Sequence, residues 1–416
     1  MSLKSRIRSL IPDPLISAYH FALAEIAAFA YHYPSRGMLI VAVTGTKGKS
    51  SVTEMVNAIL EEAHYQTALV NSIRIKVGDE STPNTMRMSM PGRFFLQRLM
   101  RRAFREECDA IVLEMTSEGA RQHRHRGVVL DALIFTNLSP EHIESHGSLQ
   151  AYKDAKFEIG KALARSKKRT RYIVANADDE ESSRYLALPV ERKLPFSLKN
   201  AAPYYADEHG GYFTFEDERV DVQLPGEFSL KNALAAATLA RAIGIDVKTI
   251  ARAIGKISHI PGRAEKIEAG QNFTVVVDYA HTPDSLTALY EAYKNVRKVC
   301  VMGATGGGRD KWKRPAMGGI ADSYCDEVVL TNEDPYDEDP RTIVYELASG
   351  MKRTPTIIMD RREAIRHALT IAKAGDAILI TGKGTDPNIA GPNGTKQAWS
   401  DAKVTREEIE RYLKAL

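Results

Sequence analysis

The sequence predicts an α/β protein in which two mostly parallel, doubly wound sheets follow one another along the chain. Three observations support this fold class. Short apolar runs alternate with segments of helical periodicity, a glycine-rich loop follows the first run, and the alternation restarts after the Pro-Gly break at residues 259–263. The 416 residues also exceed what one hydrophobic core usually supports, so two or three domains are expected.

The central domain is predicted to span residues 38–260 and to contain a P-loop-type, mostly parallel sheet. After the first apolar run, five apolar positions between 52 and 60 recur at i, i+3, i+4, i+7 and i+8, which predicts one buried helix face. Residues 204–222 are rich in Tyr, Phe, Asp and Gly, which predicts a small antiparallel addition. The predicted strands are residues 38–43, 110–115, 133–138 and 172–175.

The C-terminal domain is predicted to span residues 261–416 and to be Rossmann-like and doubly wound. Helix-sized segments separate its apolar runs, as in parallel sheets with helical crossovers. Its predicted strands are residues 273–278, 298–302, 327–330, 356–359 and 376–380.

Residues 1–37 are predicted to form a short helical N-terminal segment. Its apolar stretch, residues 15–30, follows basic residues, but His20 and Glu25 interrupt it. No uninterrupted run of about 20 apolar residues occurs. We therefore expect an amphipathic helix that packs on the protein's own body rather than on a membrane surface, with no stable membrane insertion.

The composition argues against several classes of partner and site. With 57 basic and 53 acidic residues, the chain lacks the broad positive field that binding of nucleic acid requires. Cys108, Cys300 and Cys325 are far apart and form no CxxC pair, so we expect neither a disulfide framework nor a thiolate metal site. This cysteine usage predicts a cytoplasmic protein.

A phosphate-binding loop is predicted at residues 44–51, TGTKGKSS. A glycine-rich turn that opens a helix presents backbone N–H groups to an anion, and a following lysine neutralises terminal phosphates. The end of the loop matches the phosphate-loop signature, in which the hydroxyl binds Mg2+, although Val43 stands where the common form has its first glycine. The predicted nucleotide contacts here are Thr46, Lys47, Gly48, Lys49, Ser50 and Ser51.

The loop TGTKGKS resembles the TGTxGK[ST] loop of the Mur ligase family, the ATP-dependent amide-bond-forming enzymes of peptidoglycan assembly. Folylpolyglutamate synthetases are related to this family. Within it, the muramyl-tripeptide synthetases are most similar, because they share DYAHTP and RDxxKR, whereas the folyl enzymes usually carry a DGAHNP-like string. The further matches, in chain order, are LEMTSEG, FTNLSPEHIESHG, AYKDAK, GEFSLKN, DYAHTPDSL, GGGRDKWKR and GKGTD.

The resemblance implies that ATP converts an acid to an acyl phosphate, which an amine then attacks, releasing ADP and phosphate. Such chemistry requires charge neutralisation at the transferring phosphoryl group. By resemblance, the catalytic residues are Lys49, Glu114, His142 and Lys156. Two Mg2+ ions are implied, held by Ser50, Glu114, His142 and a carbamylated Lys156.

Further ATP contacts are implied outside the loop. They are Asn232, Arg263, His281, Arg309 and Asp310. Each of these residues could instead make only local hydrogen bonds in its own loop.

The acceptor of the reaction is left open by the sequence. Only about 40 residues precede the phosphate loop, too few for a separate nucleotide-sugar domain. The acceptor could be a UDP-linked muramyl peptide, a lipid-linked precursor or another peptide carboxylate. By resemblance, Thr116 and Ser117 contact it, and Arg87, Arg93 and Arg121 either meet its anionic groups or lie on a solvated surface.

The incoming amino acid is predicted from residues 333–336, EDPY. Family members that add diaminopimelate carry DNPR, whose arginine grips a carboxylate in a way that the phenol of Tyr336 cannot. Asp334 and Asp386 favour an amine-bearing partner such as lysine. The alternatives are a folylpolyglutamate or polyglutamate-type ligase and a non-catalytic ATP-binding subunit. We expect a monomer.

Overall fold

The structure, a computed structural model, describes residues 12–141 and 143–415. These residues divide into two compact units. The first comprises residues 12–138, 150–200 and 232–253, and the second comprises the described residues of 139–149, 201–231 and 254–415. The predicted domain limits of 1–37, 38–260 and 261–416 stay a prediction.

The strands run in chain order as follows. They are β1 (Leu39–Thr44), β2 (Thr67–Val70), β3 (Arg74–Val77), β4 (Glu80–Pro83), β5 (Ala110–Glu114), β6 (Ala132–Phe135), β7 (Tyr172–Asn176), β8 (Arg192–Phe196), β9 (Tyr205–Ala206), β10 (Gly211–Phe215), β11 (Glu218–Val222), β12 (Glu265–Lys266), β13 (Thr274–Asp278), β14 (Lys298–Met302), β15 (Glu327–Leu330), β16 (Thr356–Ile357), β17 (Ala377–Thr381), β18 (Asn388–Ala390) and β19 (Lys396–Ala398).

The helices of the described residues are given in the same way. They are α1 (Asp13–Ala30), α2 (Lys49–Glu62), α3 (Arg93–Arg105), α4 (Ser117–Arg121), α5 (Ile143–His146), α6 (Leu149–Ala164), α7 (Ser182–Leu186), α8 (Glu227–Ala242), α9 (Val247–Gly255), α10 (Pro283–Ala292), α11 (Lys313–Tyr324), α12 (Pro340–Ala348), α13 (Arg361–Ile371) and α14 (Asp401–Ala415). Short 3-10 helices occupy Pro34–Gly37, Leu198–Ala201 and Pro392–Gly394.

The first unit is built on one eight-stranded sheet in the order β4-β3-β2-β5-β1-β6-β7-β8. Six of its strands, β2, β5, β1, β6, β7 and β8, pair in parallel with one another. Strands β3 and β4 pair antiparallel at the edge next to β2. The central strands are buried along their length, which explains why they are continuous apolar runs. The four predicted strands are confirmed within a few residues as β1, β5, β6 and β7.

Helix α2 covers this sheet with the face that the sequence predicted. Val52, Met55, Val56, Ile59 and Leu60 are all buried. The prediction missed β2, β3, β4 and β8. Strands β3, β4 and β8 lie towards the edges of the sheet and carry polar or exposed residues, so they give no apolar run to detect.

The second unit is built on a six-stranded sheet in the order β12-β13-β17-β14-β15-β16, in which only β12 is antiparallel. Separate hydrophobic clusters cover its two faces, with Val276 and Leu379 on one side and Val275 and Ile378 on the other. This confirms the predicted doubly wound sheet. The predicted antiparallel addition is also confirmed, as the three-stranded sheet β11-β10-β9.

The expectation that the cysteines form no disulfide was wrong. Cys300 and Cys325 form a disulfide, with their Cα atoms 6.1 Å apart. Cys300 lies in β14, and Cys325 lies just before β15, which pairs with β14 in parallel. The sheet brings together two cysteines that are 25 residues apart, which spacing alone does not reveal. Cys108 is free and buried.

The N-terminal helix α1 packs on the first unit, as predicted, but through one face only. Ala24, Ala27 and Ala28 are fully buried, whereas Ile26 and Phe29 are exposed. No helix among the described residues is both long enough and apolar enough to cross a membrane.

Candidate active site

The predicted phosphate loop lies at the centre of the first sheet. Strand β1 lies between β5 and β6, with Val43 opposite Glu114 and Thr44 opposite Phe135. The carboxyl ends of the three strands therefore meet at one edge, where open α/β sheets bind their ligands. Glu114 stands on one side of the loop, and Thr136 and Asn137 stand on the other.

Two glycines give the loop its shape. Gly45 has φ +144° and Gly48 has φ +80°, conformations that favour glycine. A Cβ atom at Gly45 would lie 2.0 Å from Thr136 Oγ1, and one at Gly48 would lie 2.3 Å from Asn232 Oδ1. The predicted contact Asn232 is thus packed against the loop.

The β6–α5 connection holds the loop backbone. The Thr46 amide donates to the Asn137 carbonyl at 2.8 Å, and the Lys47 amide donates to Asn137 Oδ1 at 2.9 Å. Thr136 Oγ1 donates to the Lys47 carbonyl at 2.6 Å. Thr136 and Asn137 therefore fix the conformation of the loop. Helix α2 begins at Lys49, with Gly48 as its N-cap residue. The start of a helix is a place where backbone N–H groups and the helix dipole favour an anion.

Ser50 and Glu114 bring two oxygen atoms together beside the loop. Ser50 Oγ donates to Glu114 Oε2 at 2.8 Å, and the Ser72 amide also donates to that oxygen, at 3.1 Å. Both Ser50 and Glu114 are buried. Mg2+ is usually held by one or two protein oxygens together with substrate phosphates and water, so this donor set fits one such ion.

Two predicted lysines point at loop carbonyls. Lys49 Nζ donates to the Thr46 carbonyl at 2.9 Å, and Lys156 Nζ donates to the Gly45 carbonyl at 2.5 Å. Lys156 is buried and its Nζ lies 4.8 Å from the centre of the Tyr152 ring, whose hydroxyl lies 3.0 Å from Thr46 Oγ1. As an unmodified cation, Lys156 does not fit a second Mg2+.

Two predicted residues of this site remain, and the structure describes one of them. Ser51 is buried in the first turn of α2. His142 lies outside the described residues. Within the part of the chain that the structure describes, no group of three or more His, Cys, Asp or Glu side chains is arranged to hold a metal.

The predicted acceptor contacts follow β5. Thr116 caps α4 by accepting the Gly119 amide at 3.1 Å, and Ser117 is buried. Arg93 donates to the Gln122 carbonyl at 3.0 Å, and burial lowers the pKa of its guanidinium. Arg93 is therefore held by its own unit, while Arg121 is exposed and Arg87 has a positive φ of 54°.

In the second unit, Arg263 and His281 meet around Tyr279. The guanidinium of Arg263 lies 4.7 Å from the centre of the Tyr279 ring, and the His281 ring packs edge-on against it at 4.7 Å. His281 Nε2 lies 2.9 Å from Glu141 Oε1. Burial raises the pKa of Asp278, which accepts the amides of Ala264 and Ala280 at 2.6 Å each.

Arg309 and Tyr336 lie close to each other in the second unit. Arg309 is exposed, and its guanidinium lies 5.6 Å from the centre of the Tyr336 ring. Asp310 is buried in the same loop and has a positive φ of 22°. The carboxyl group of Glu144 has a raised pKa, because of burial and a hydrogen bond with Asp310.

Asp334 and Asp386 were both predicted to bind an amine. In the structure both lie close to the ammonium of Lys383. Lys383 Nζ is 2.7 Å from Asp334 Oδ1 and 3.5 Å from Asp386 Oδ2, and Lys383 is fully buried. The Ala390 amide also donates to Asp334 Oδ1, at 2.7 Å. The side chain of Asp334 is 3% exposed and that of Asp386 is 17% exposed, so Asp386 is the more accessible of the two.

Glu333 lies beside these residues, although the sequence did not predict it as a site residue. Its Oε1 accepts from Thr305 Oγ1 at 2.7 Å, whereas its Oε2 is buried without a hydrogen-bond partner among the described residues. Oε2 lies under Gly382, where an added Cβ would be 2.2 Å away. The only signal for Glu333 and Lys383 was that each neighbours a predicted residue in the motifs EDPY and GKGTD. We refer to Glu333, Asp334, Lys383 and Asp386 as the acidic cluster.

Comparison with known proteins identifies both parts of the chain. Residues 43–240 match the Mur ligase middle domain, and residues 262–384 match the Mur ligase glutamate ligase domain. The chain is 36% identical to the UDP-N-acetylmuramoyl-L-alanyl-D-glutamate--2,6-diaminopimelate ligase of Syntrophomonas wolfei, over 94% of this chain and 82% of that protein. It is 34% identical to the UDP-N-acetylmuramyl-tripeptide synthetase of a Roseiflexus species, over 96% and 84%.

Solved structures agree with the sequence comparisons. A UDP-N-acetylmuramoyl-L-alanyl-D-glutamate--2,6-diaminopimelate ligase superposes with a TM-score of 0.61 at 28% identity, covering 90% of this chain and 79% of that one. A Mycobacterium tuberculosis folylpolyglutamate synthase complexed with ADP superposes with a TM-score of 0.70, covering 94% of each chain, but at 17% identity it shows the fold alone. The domain matches and the long alignments lead to one conclusion: this chain belongs to the Mur ligase family.

Proposed function

We propose that this chain is an ATP-dependent ligase of peptidoglycan precursor synthesis, which joins an amino acid to the carboxylate of a muramyl peptide and releases ADP and phosphate. The observation that carries the proposal is the buried pair of Ser50 and Glu114, hydrogen bonded at 2.8 Å beside the glycine-rich loop. This pair provides oxygen ligands next to an anion site. The folylpolyglutamate and non-catalytic alternatives are not favoured, because the relatives at 36% and 34% identity are muramyl-peptide ligases by name.

The loop residues supply the electrostatics that phosphoryl transfer needs. The amides at the start of α2 and the ammonium of Lys49 would hold the terminal phosphates of ATP, and Ser50 and Glu114 would hold one Mg2+. Bound there, the ion neutralises charge that develops on the transferring group. Burial of Ser50 and Glu114 strengthens their interactions relative to water.

We further propose that Lys156 is carbamylated and, together with His142, holds a second Mg2+. The support is chemical. The buried ammonium of Lys156 would first lose a proton. The resulting amine would add CO2, forming an N–C bond as one C=O bond of CO2 opens, and would lose a second proton, so that a cation becomes a carbamate anion. Without the modification, a lysine at this position would repel a metal ion.

We propose that the acceptor is a muramoyl-alanyl-glutamate carboxylate, contacted by Thr116 and Ser117. The relative in Syntrophomonas wolfei is named for a UDP-linked acceptor of that kind. For the amino acid, we propose a diamino acid whose distal ammonium meets Asp386 and the unpartnered oxygen of Glu333. Tyr336 stands in place of an arginine and cannot itself hold a distal carboxylate in bidentate fashion, so lysine is favoured over diaminopimelate.

The roles of Asn232, Arg263, His281, Arg309 and Asp310 as ATP contacts stay predictions. So do action in the cytoplasm and a monomeric state. Alanine variants of these five residues, compared by the KM for ATP, would test the nucleotide contacts.

Phosphate release tests the proposed function. Purified protein with ATP and Mg2+ would be given UDP-linked muramoyl-alanyl-glutamate and, separately, lysine, diaminopimelate or no amino acid. We expect release that requires acceptor and amino acid together and that is lost in Lys49→Ala. Release with folate and glutamate instead would contradict the proposal, and a preference for diaminopimelate over lysine would contradict only the amino-acid assignment.

A further inference from the structure

Helix α1 has a continuous apolar face that points away from the protein. Its members recur at helical spacing, so that they line one side of the 18-residue helix. We call this set the outer face of α1, and it comprises Leu15, Ala18, Tyr19, Ala22, Ile26 and Phe29.

The opposite side of α1 is fixed to the first unit. Ala28 packs so closely on Gly127 that a Cβ added to that glycine would lie 2.3 Å from the Ala28 Cβ. His20 Nδ1 lies 2.7 Å from Arg93 Nη2, and Ser17 Oγ lies 2.8 Å from His123 Nε2. The helix is therefore held in place with its outer face directed to the surroundings.

The exposure of the outer face is large for a protein in water. Leu15 is 62% exposed, Tyr19 60%, Ile26 54% and Phe29 73%. At about 200 Å2 for a whole large side chain, these four present roughly 500 Å2 of apolar surface. A helix that is apolar on both sides is normally buried, and a contiguous patch of this size marks a contact surface.

Positive charge lies beside the outer face. A surface cavity of about 480 Å3 is lined by Ala30 and Tyr31 at the end of α1 and by Arg98, Arg101 and Arg105 of α3. These three arginines form no ion pair with a carboxylate of the described residues, whereas Arg102 is paired with Glu80 and Glu106. Residues 1–11, which precede α1, contain Lys4, Arg6 and Arg8 and no acidic residue.

Helix α3 extends the same combination of groups. Phe94 and Phe104 are each 42% exposed, and the guanidinium of Arg101 lies 5.4 Å from the centre of the Phe104 ring. Aromatic and aliphatic side chains flanked by arginines are the composition of surfaces that lie in the headgroup region of an anionic bilayer.

We propose that the outer face of α1, together with the arginines of α3, docks this protein on the surface of an anionic membrane. The apolar side chains would enter the boundary between headgroups and acyl chains, and the arginines would meet lipid phosphates. Tyr19 suits this boundary because its ring is apolar and its hydroxyl is polar. The docking that we propose is peripheral, with α1 lying along the membrane surface.

A second copy of the chain explains the surface less well. A stable dimer buries about 800 Å2 on each partner, more than the roughly 500 Å2 of the outer face. A symmetric dimer on this face would also bring the unpaired arginines of two copies together, and like charges in contact are unfavourable. An anionic bilayer removes both difficulties, since its phosphates complement the arginines.

Vesicle sedimentation tests the proposal with the full-length protein. Phosphatidylglycerol vesicles should sediment the protein at low salt, and phosphatidylcholine vesicles should sediment at least tenfold less. Ile26→Asp/Phe29→Asp should reduce binding to phosphatidylglycerol at least tenfold, and Arg98→Glu/Arg105→Glu should abolish the preference for the anionic lipid. The matched control is Tyr345→Asp, since Tyr345 is 57% exposed in the second unit, and it should bind like the parent protein.

Further measurements distinguish lost docking from lost folding and from dimer formation. Circular dichroism and phosphate release should be unchanged in every variant without lipid, which separates lost docking from lost folding. In Phe29→Trp, brominated acyl chains should quench the new fluorescence, and in Tyr345→Trp they should not. Equal vesicle binding by parent and Ile26→Asp/Phe29→Asp would overturn the proposal. So would a dimer seen by light scattering that the same double variant dissociates, because the outer face would then belong to a second copy.

Discussion

The phosphate loop of the first unit and the acidic cluster of the second use lysine in opposite ways. Lys49 lies partly exposed at the start of a helix and donates to the Thr46 carbonyl of its own loop, three residues away. Lys383 is fully buried and bridges Asp334 and Asp386. The first lysine is available to a ligand, whereas the second already has its partners within the chain.

This difference shows that a sequence motif can predict the shape of a binding loop but not which of its charged side chains are already paired within the chain. In the loop, function follows from backbone shape, which glycines at fixed spacing determine. In the acidic cluster, the proposed binding of an amine depends on which carboxylate oxygens are not already bonded to Lys383. Asp334 accepts from both Lys383 and the Ala390 amide, whereas Asp386 is the more exposed carboxylate and Glu333 Oε2 is buried without a hydrogen-bond partner among the described residues.

The largest expected effect is that of Lys49→Ala on turnover. Removing the cation that we propose to stabilise the transferring phosphoryl group should lower kcat by roughly 10⁴-fold, about 5 kcal/mol. The free energy of unfolding should hardly change, because the hydrogen bond that Lys49 makes within the described residues is to a local carbonyl, that of Thr46. Phosphate release and thermal unfolding would be measured together, with Lys161→Ala on the surface of α6 as the matched control. Equal activity of the two variants would contradict the assigned role.

The next largest effect should be that of Lys383→Met on stability. It removes one partner of a fully buried ion pair and leaves the Asp334 carboxylate uncompensated, which costs about 4 kcal/mol. Urea unfolding would measure the loss. Combining Lys383→Met with Asp334→Asn should recover much of it, since the unpaired charge is gone. A variant as stable as the parent would show that the contrast with Lys49 is mistaken.

Acid should affect the two units differently, through His125 in the first. Burial, with help from the nearby charges of Arg126 and His123, lowers the pKa of His125 from 6.5 to about 4. Between these values the unfolded chain binds a proton that the folded chain does not, so stability falls as the pH falls through this window. The full loss below pH 4 is about 3 kcal/mol.

The second unit should not share this loss. Burial by itself would raise the pKa of Glu338, but hydrogen bonds from Arg314 and the Gly308 amide lower it to about 2. The charged carboxylate of Glu338 therefore keeps its full contribution to the free energy of unfolding down to about pH 4.5. Hydrogen exchange of amides in β1 and in β14, measured from pH 7 to pH 4, would follow the units separately, and His125→Gln should reduce the acid loss in β1. An unchanged profile in His125→Gln would exclude His125 as the cause.

The sequence predicted those parts of the molecule that depend on local or periodic patterns. The strands β1, β5, β6 and β7 and the loop between Thr44 and Ser51 follow from apolar runs and glycine spacing. The pairing of Ser50 with Glu114 was predicted only through family resemblance, because 64 residues separate them.

Other features could not be predicted, since they depend on contacts that the fold creates. Spacing gives no sign of the Cys300–Cys325 disulfide, which forms where two parallel strands lie side by side. Nor does it show that Lys383 neutralises Asp334, or that α1 is apolar on an exposed side as well as on a buried one. Helical periodicity identifies an amphipathic helix, but α1 has no polar side wide enough to indicate which face is outward.

The smallest expected effect separates the two carboxylates of the acidic cluster. Asp386→Asn should raise the KM for the amino acid about tenfold, equivalent to about 1.4 kcal/mol, with little change in kcat, because an accessible carboxylate that meets the distal ammonium contributes uniform binding. Asp334→Asn should instead lower stability and leave that KM nearly unchanged, since its oxygen is already taken by Lys383 and Ala390. Steady-state kinetics with lysine and with an amino acid lacking the distal amine would distinguish them, because only the first substrate can lose an ammonium contact. If Asp334→Asn raised the KM and Asp386→Asn did not, Lys383 would have to give up Asp334 when substrate binds, and the cluster would be a displaceable ion pair rather than a fixed one.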